Sequence, residues 1–248
     1  MKILVAMSGG VDSSVAAAML TQQGYDVTGV HLRLNDAKPE AVKDGRQHGC
    51  CGLTDADDAR RVAQVLDIPF YVWNLKDVFA DGVVDDFVGE YERGRTPNPC
   101  VRCNEKVKFG AMQQRAISLG FDAIATGHYA RIEHDGERWR LFRGADARKD
   151  QSYVLARLGQ EQLAHALFPV GTQDKARTRA IAEDLALRVA NKPESFDICF
   201  VPDGDAAGFV ERALGGARPG EVVDADGRVI GRHDGIHRFT VGQRRGWV

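Results

Sequence analysis

Lys2-Ile3-Leu4-Val5-Ala6-Met7-Ser8-Gly9-Gly10-Val11-Asp12-Ser13-Ser14 opens the chain and decides its fold class. Lys2 to Met7 reads as a nearly continuous apolar run of strand length, the pattern of a strand buried on both faces of a parallel sheet. Ser13 to Gln23 follows with Val15, Ala16, Met19 and Leu20 in a helical stripe, and Gly24 stands as its C′ residue. The polar loop between them therefore occupies the first βα turn, where backbone N–H groups and the helix dipole favour an anion. Gly9 and Gly10 permit positive φ and close approach of the backbone. Ser8, Ser13 and Ser14 add hydroxyl donors. Asp12 repels phosphate, so a bridging Mg²⁺ is its sensible role. The loop has neither the lysine of G-x-x-x-x-G-K-[ST] nor the spacing of G-x-G-x-x-G.

Working outward, Val27–Leu34, Phe70–Leu75 and Ala123–Thr126 read as further strands. Thr54–Leu66 (Thr54 as N-cap), Phe79–Tyr91 and Val107–Leu119 read as helices. The βα alternation predicts an α/β fold with a doubly wound parallel sheet. Thr96-Pro97-Asn98-Pro99 interrupts it as a loop, because two prolines oppose regular structure. Ile132–Phe142 with Asp135-Gly136 at its middle predicts a hairpin. Ser152–Leu167 and Lys175–Leu187 read as helices, and Ile198–Val201 as a fifth strand. Beyond Pro202 glycines come quickly between short β-like runs. The expected domains are therefore residues 1–201 and a smaller β-rich unit, 202–248, which looks incomplete.

The 248 residues are 44% hydrophobic and 27% charged, with formal net charge −2, which excludes fibrous, collagen-like and disordered classes. No apolar run approaches the ~20 residues of a membrane span, and no signal-peptide pattern is present, so a cytoplasmic protein is expected. Charge is uneven: residues 1–92 hold 8 Lys/Arg against 15 Asp/Glu, and residues 93–248 hold 25 against 20. Two basic stretches, Arg93–Arg115 and Arg228–Val248, suit local phosphate contact, and solvated surface charge is the plainer reading.

Five cysteines, an odd number in a long chain, argue against a disulfide framework. Cys100 and Cys103 sit in Pro97-Asn98-Pro99-Cys100-Val101-Arg102-Cys103-Asn104. A helix beginning near Glu105 would place Cys103 just before its N-terminus, where the dipole and Arg102, Lys106 and Lys108 favour a thiolate. Cys199 would lie on or beside the fifth strand. Cys50 and Cys51 read as loop residues, with metal binding the lesser alternative. The histidines other than His128 show no metal spacing, so His31 is given no role, and Trp73, Trp139 and Trp247 read as packing residues. His128 ends the fourth strand, the edge at which ligands bind.

Ser8–Ser14, in its position after the first strand, resembles the SGGxDS signature of PP-loop ATP pyrophosphatases, the adenine nucleotide α-hydrolase-like fold. Taken with Thr96–Asn104, Ala125-Thr126-Gly127-His128-Tyr129, Lys149-Asp150-Gln151-Ser152 and Ile198-Cys199-Phe200, in that order, the chain resembles the tRNA 2-thiouridylases over nearly its whole length. The resemblance implies a transferase that adenylates the C2 oxygen of the wobble uridine U34 of tRNA with ATP and Mg²⁺, releasing pyrophosphate, and then replaces that oxygen by sulfur. Cys199 would carry the sulfur as a persulfide, taken from a sulfur-relay protein or a cysteine desulfurase. Cys103 would be the nucleophile that frees it, through a disulfide with Cys199 or by releasing hydrogen sulfide. Ala6, Met7, Ser8, Gly9, Gly10, Val11, Asp12, Ser13, Leu32 and Gly127 match ATP-contacting positions. Asn98, Pro99 and Cys100 match the segment at the target base, and His128, Lys149, Asp150 and Gln151 match tRNA contacts.

Two departures from the family pattern stand out. Many members carry Asp at the position of Cys100, and familiar members continue into a C-terminal β-barrel that is expected to be absent here. The first leaves open a [4Fe–4S] cluster held by Cys100, Cys103 and Cys199, because C-x-x-C with a distant cysteine suits thiolate ligation. Two other readings of the loop compete: a PP-loop ligase that forms another bond by adenylation, and a nucleotide-binding module without catalysis.

Overall fold

The computed structural model describes residues 1–35, 53–193, 198–201 and 203–243. Five strands, β1 (Lys2–Ala6), β2 (Asp26–Arg33), β3 (Phe70–Asn74), β4 (Ala123–Ala125) and β7 (Ala166–Leu167), form one parallel sheet in the order β3-β2-β1-β4-β7. β1 lies at its centre, with Val5 level with Gly29 of β2 and Ala125 of β4. Its apolar run follows from that place, since Ile3, Leu4 and Val5 are wholly buried. The two faces divide by alternation. Ile3 and Val5 pack with α1 (Val11–Gln22), α2 (Leu53–Val65) and α6 (Lys175–Asp184). Leu4 packs with Phe79 and Val83 of α3 (residues 76–92) and with Val107, Phe109 and Met112 of α4 (residues 99–118). The expected doubly wound sheet is the observed one. Gly24 has φ +80°, as a helix C′ residue should.

Both α3 and α4 contain π-helical turns. In α3, Ala80–Val84 separates Lys76–Phe79 from Asp85–Glu92. In α4, Cys103–Met112 separates Pro99–Arg102 from Gln113–Ser118. The carbonyls of Glu105 and Phe109 in that wide stretch accept from Gln162 Nε2, at 3.5 and 2.8 Å. Such bulges often sit at functional sites.

Several local expectations are corrected. Thr54 is not an N-cap, because α2 already begins at Leu53. Pro99 does not oppose helix but starts one: it occupies the first position of α4, where a missing N–H costs nothing, and Asn98 caps it. Ser152–Leu167 is not one helix. It divides into a 3₁₀ turn (Ser152–Leu155), α5 (Gln160–Ala164) and the edge strand β7, because Gly159 ends one turn and the His165 carbonyl is captured by the Ile124 N–H. Ile198–Val201 is a turn, closed by Val201 N–H to Ile198 O at 2.9 Å, and the fifth strand is β7 instead. Phe200 in that turn packs against the rings of Phe79 and Phe87.

The hairpin is β5 (Ala130–His134) with β6 (Trp139–Arg143), and Gly136 at its turn has φ +98°. After residue 203 the chain forms α7 (Ala206–Ala213), not strand, and then the antiparallel pair β8 (Gly220–Val223) and β9 (Val229–His233). No helix among the described residues is long and apolar enough to cross a membrane.

Candidate active site

The C-terminal ends of β1, β2 and β4 open into a cavity of about 290 Å³, the edge at which parallel α/β sheets bind ligands. Of the ten residues expected at ATP, all but Gly9 line it, and so do His128, Lys149 and Gln151. Gly10 precedes α1 in extended conformation, and no side chain caps the helix, so its first N–H groups remain for a ligand. The loop is tied to itself: Ser8 N–H donates to Ser13 Oγ at 3.1 Å, and the Ser13 and Ser14 hydroxyls donate to Gly10 O at 3.2 and 2.8 Å. Gly9 has φ +77°, and a Cβ there would lie 2.2 Å from Asp55 O. A Cβ on Gly127 would lie 2.5 Å from Ser13 N, so β4 approaches the start of α1 closely.

Asp12 is not an isolated carboxylate. Lys175 Nζ donates to both its oxygens at 2.7 and 2.8 Å, and the Tyr129 hydroxyl donates to one at 2.8 Å. Lys192 Nζ, on the other side of the loop, donates to Gly9 O at 3.0 Å, Asp55 Oδ1 at 2.8 Å and Asp58 Oδ2 at 2.7 Å. Burial alone would lower the pKa of Lys192, but the two carboxylates outweigh it and the pKa is raised. His128 is buried with Nδ1 2.6 Å from Thr126 Oγ1, its ring between Phe109 and Phe168. Asp150 lies away from the cavity. It accepts the N–H groups of Gly144 and Ser152 and the Ser152 hydroxyl, bonds that outweigh burial and lower its pKa.

Cys100, Cys103 and Cys199 are not among the residues that line the cavity. Asn98 Oδ1 accepts the N–H groups of Cys100 and Val101 at 3.0 and 3.4 Å. The exposed Cys100, not Cys103, therefore occupies the first turn of the helix. Cys103 lies a turn further in, so the placement of its thiol before a helix N-terminus is corrected. Arg102 is turned to Asp86 and Glu105, and Arg157 also holds Glu105. Asn104 is buried, and its Nδ2 ties Cys100 O at 3.0 Å to Val154 O at 3.3 Å. Cys103 and Cys199, both half-buried, lean on the same hydrophobic cluster, and neither is in a disulfide. Among the described residues no three His, Cys, Asp or Glu side chains are grouped to hold a metal ion. Cys50 and Cys51 lie outside the described residues.

Residues 1–203 match the family model for the tRNA methyl transferase HUP domain, and residues 207–248 match that for the tRNA methyl transferase PRC-barrel domain. Over 246 residues the chain is 58% identical to the tRNA-specific 2-thiouridylase MnmA of Mycolicibacterium smegmatis and 56% identical to that of Acidothermus cellulolyticus. Each alignment covers 99% of this chain and 67% of the relative. The chain belongs to the MnmA family. It spans about two thirds of the length of these MnmA relatives. Its fold is similar to that of a 4-thiouridine synthetase solved with RNA and ATP, at TM-score 0.50 and 15% identity over 86% of this chain and 50% of that one.

The cavity of this MnmA-family chain also holds polar residues not expected at the nucleotide, among them His31, Lys108, Lys175 and Lys192. His31 is buried in β2 with Nδ1 2.9 Å from Met7 O. A lone histidine within an apolar strand carries no local signal of a cavity. Lys175 opens a helix capped by Asp174, which accepts the Arg177 N–H at 2.7 Å. A lysine in a helix's first turn runs against the dipole, and that mismatch was the available clue. Lys108 and Lys192 carry no comparable local signal.

Proposed function

We propose that this chain thiolates U34 of tRNA at C2 in an ATP-dependent reaction. The observation that carries this reading is the assembly of nine of the ten expected nucleotide contacts around one cavity at the sheet edge, with His128, Lys149 and Gln151 on its wall. The triphosphate would lie on the N-terminus of α1, with Lys175 and Lys108 as its cations. Mg²⁺, held by Asp12 and the phosphates themselves, would offset charge on the departing pyrophosphate. Asp12 stands on the cavity wall at the start of α1, and Lys175 would move from it to the phosphates.

The C2 oxygen of the uridine attacks the α-phosphorus and pyrophosphate leaves, which converts a poor leaving oxygen into AMP. The terminal sulfur of a Cys199 persulfide then bonds to C2. Cys103 thiolate attacks Cys199 Sγ, the sulfur–sulfur bond breaks toward the substrate, and C2 expels AMP. The products are thiouridine and a Cys103–Cys199 disulfide, which an external thiol reduces. In the second course, Cys103 releases hydrosulfide from the persulfide, and hydrosulfide attacks C2. A relay protein or cysteine desulfurase supplies the persulfide, and the setting is the cytoplasm. Residues 1–201 act as the catalytic unit and residues from 202 as a smaller one.

α-Labelled ATP mixed with protein, Mg²⁺ and tRNA bearing U34 tests the first step, beside a C34 control. AMP and pyrophosphate that depend on U34 are expected. Equal AMP with both tRNAs, or none with either, overturns the proposal.

A further inference from the structure

Phe200 follows Cys199 directly and sits among three other rings. Its centroid is 5.6 Å from Phe79, 5.2 Å from Phe87 and 5.3 Å from Phe209, all edge-on. Phe79 and Phe87 belong to α3, and Phe209 belongs to α7, beyond residue 203. Phe209 also meets Phe87 at 6.3 Å. The ring of Phe200 is therefore pinned from both sides, and the thiol of Cys199 hangs one residue away.

The same helix mounts the other thiols. Asp86, the neighbour of Phe87, takes the Arg102 guanidinium at 3.0 and 3.1 Å, and Arg102 stands between Cys100 and Cys103. The chain after residue 203 also grips the stretch that leads from α3 into α4. Arg218 pairs with Glu92 at 2.6 Å, and the Thr96 hydroxyl donates to Thr240 Oγ1 at 3.1 Å. Ile236 packs on Gly94, where a Cβ would lie 2.7 Å from its Cδ1.

We propose that Phe200 and Phe209 are positioning residues through which the C-terminal unit sets where Cys199 stands relative to the helix carrying Cys100 and Cys103. The proposal deepens the thiolation reading and rests on it for its chemistry, while its geometry stands alone. Neither ring touches the nucleotide cavity, so the device governs the sulfur step and leaves adenylation intact.

The test is the rate at which iodoacetamide alkylates Cys199, measured by mass spectrometry on the 248-residue chain and referred to the exposed Cys100 in the same sample. Phe209→Ala removes a ring at the end of the cluster, and the Cys199 to Cys100 ratio is expected to rise roughly tenfold. Phe209→Leu keeps most of the apolar volume and is expected to rise less. ATP affinity in both should stay within about twofold of the parent, since Phe209 is not among the residues lining the cavity. A ratio unchanged in both variants overturns the proposal. If Phe209→Ala speeds both thiols together, Phe209→Leu decides: Cys199 rising alone supports positioning, and an unchanged ratio refutes it. In turnover, sulfur transfer should fall while U34-dependent AMP release persists. If the parent chain releases no such AMP, the thiolation reading fails, and the alkylation ratio still reports on the positioning.

Discussion

The phosphate loop and the cysteine region face different organising problems. The loop is contiguous: a buried strand, the Ser8-Gly9-Gly10 turn and the helix that starts at Val11 place Ser8 to Ser14 at one end of the sheet with little help from elsewhere. The cysteine region is assembled from segments about a hundred residues apart, and its order comes from contacts that no local pattern announces. Asn98 starts the helix, Asn104 ties it to Val154, Arg102 fastens it to Asp86, and Phe200, next to Cys199, packs on Phe87. The first region is read by periodicity, the second only by packing.

The sharpest break between them is chemical. Cys103→Ser should lower thiolated product by at least about a thousandfold, while ATP affinity stays within about twofold. A parallel loss of ATP binding would show that the two regions are one unit. Gly9→Ala should instead strike the loop itself. Positive φ and the Asp55 backbone together cost about 3 kcal/mol of stability and distort the loop. Denaturant titration and ATP binding should both fall, and unchanged values in both would contradict the close packing of α2 on the loop.

Lys192→Met tests the seam beside the loop. Its ammonium, under a quarter exposed, satisfies two carboxylates and the Gly9 carbonyl, so its loss should cost about 2 kcal/mol at neutral pH. The folded pKa is raised, so this contribution is fully present below the unfolded value of about 10.4 and is lost as pH rises through the folded one. The penalty in melting should stay constant from about pH 7 to 9 and shrink above about 10.5. A penalty independent of pH throughout that range would remove the charge from the explanation.

Glu105→Gln should have the smallest effect, about 1 kcal/mol, because Arg102 and Arg157 each lose a charged partner near the surface. Burial raises the Glu105 pKa, and the two arginines outweigh it, leaving the value lowered. The stabilisation is present above the ordinary carboxylate range near 4.3 and is lost as pH falls through the folded value. Stability curves of parent and variant should therefore converge in acid. Curves that stay parallel down to about pH 2 would assign the effect to packing.

Much of the sheet was legible because burial on both faces leaves an apolar run that needs no partner to be recognised, as in Ile3-Leu4-Val5. The failures share one cause. Ile198–Val201 is as apolar as a strand, but its apolarity serves a ring cluster. Ala166–Leu167 is a strand only because β4 lies beside it. Pro99 reads locally as a breaker, and becomes a helix start once Asn98 supplies the cap.

The sequence by itself determined the parallel α/β class, the loop at its first turn and the glycines that allow close approach there, because each rests on periodicity or on backbone freedom within a few residues. Only the tertiary structure decided that Lys175 pairs with Asp12, that Lys192 straps Gly9 to Asp55 and Asp58, and that Cys103 and Cys199 share one hydrophobic cluster. Those pairings join residues far apart in the chain, and the free energy that selects them belongs to the packed state rather than to any local segment.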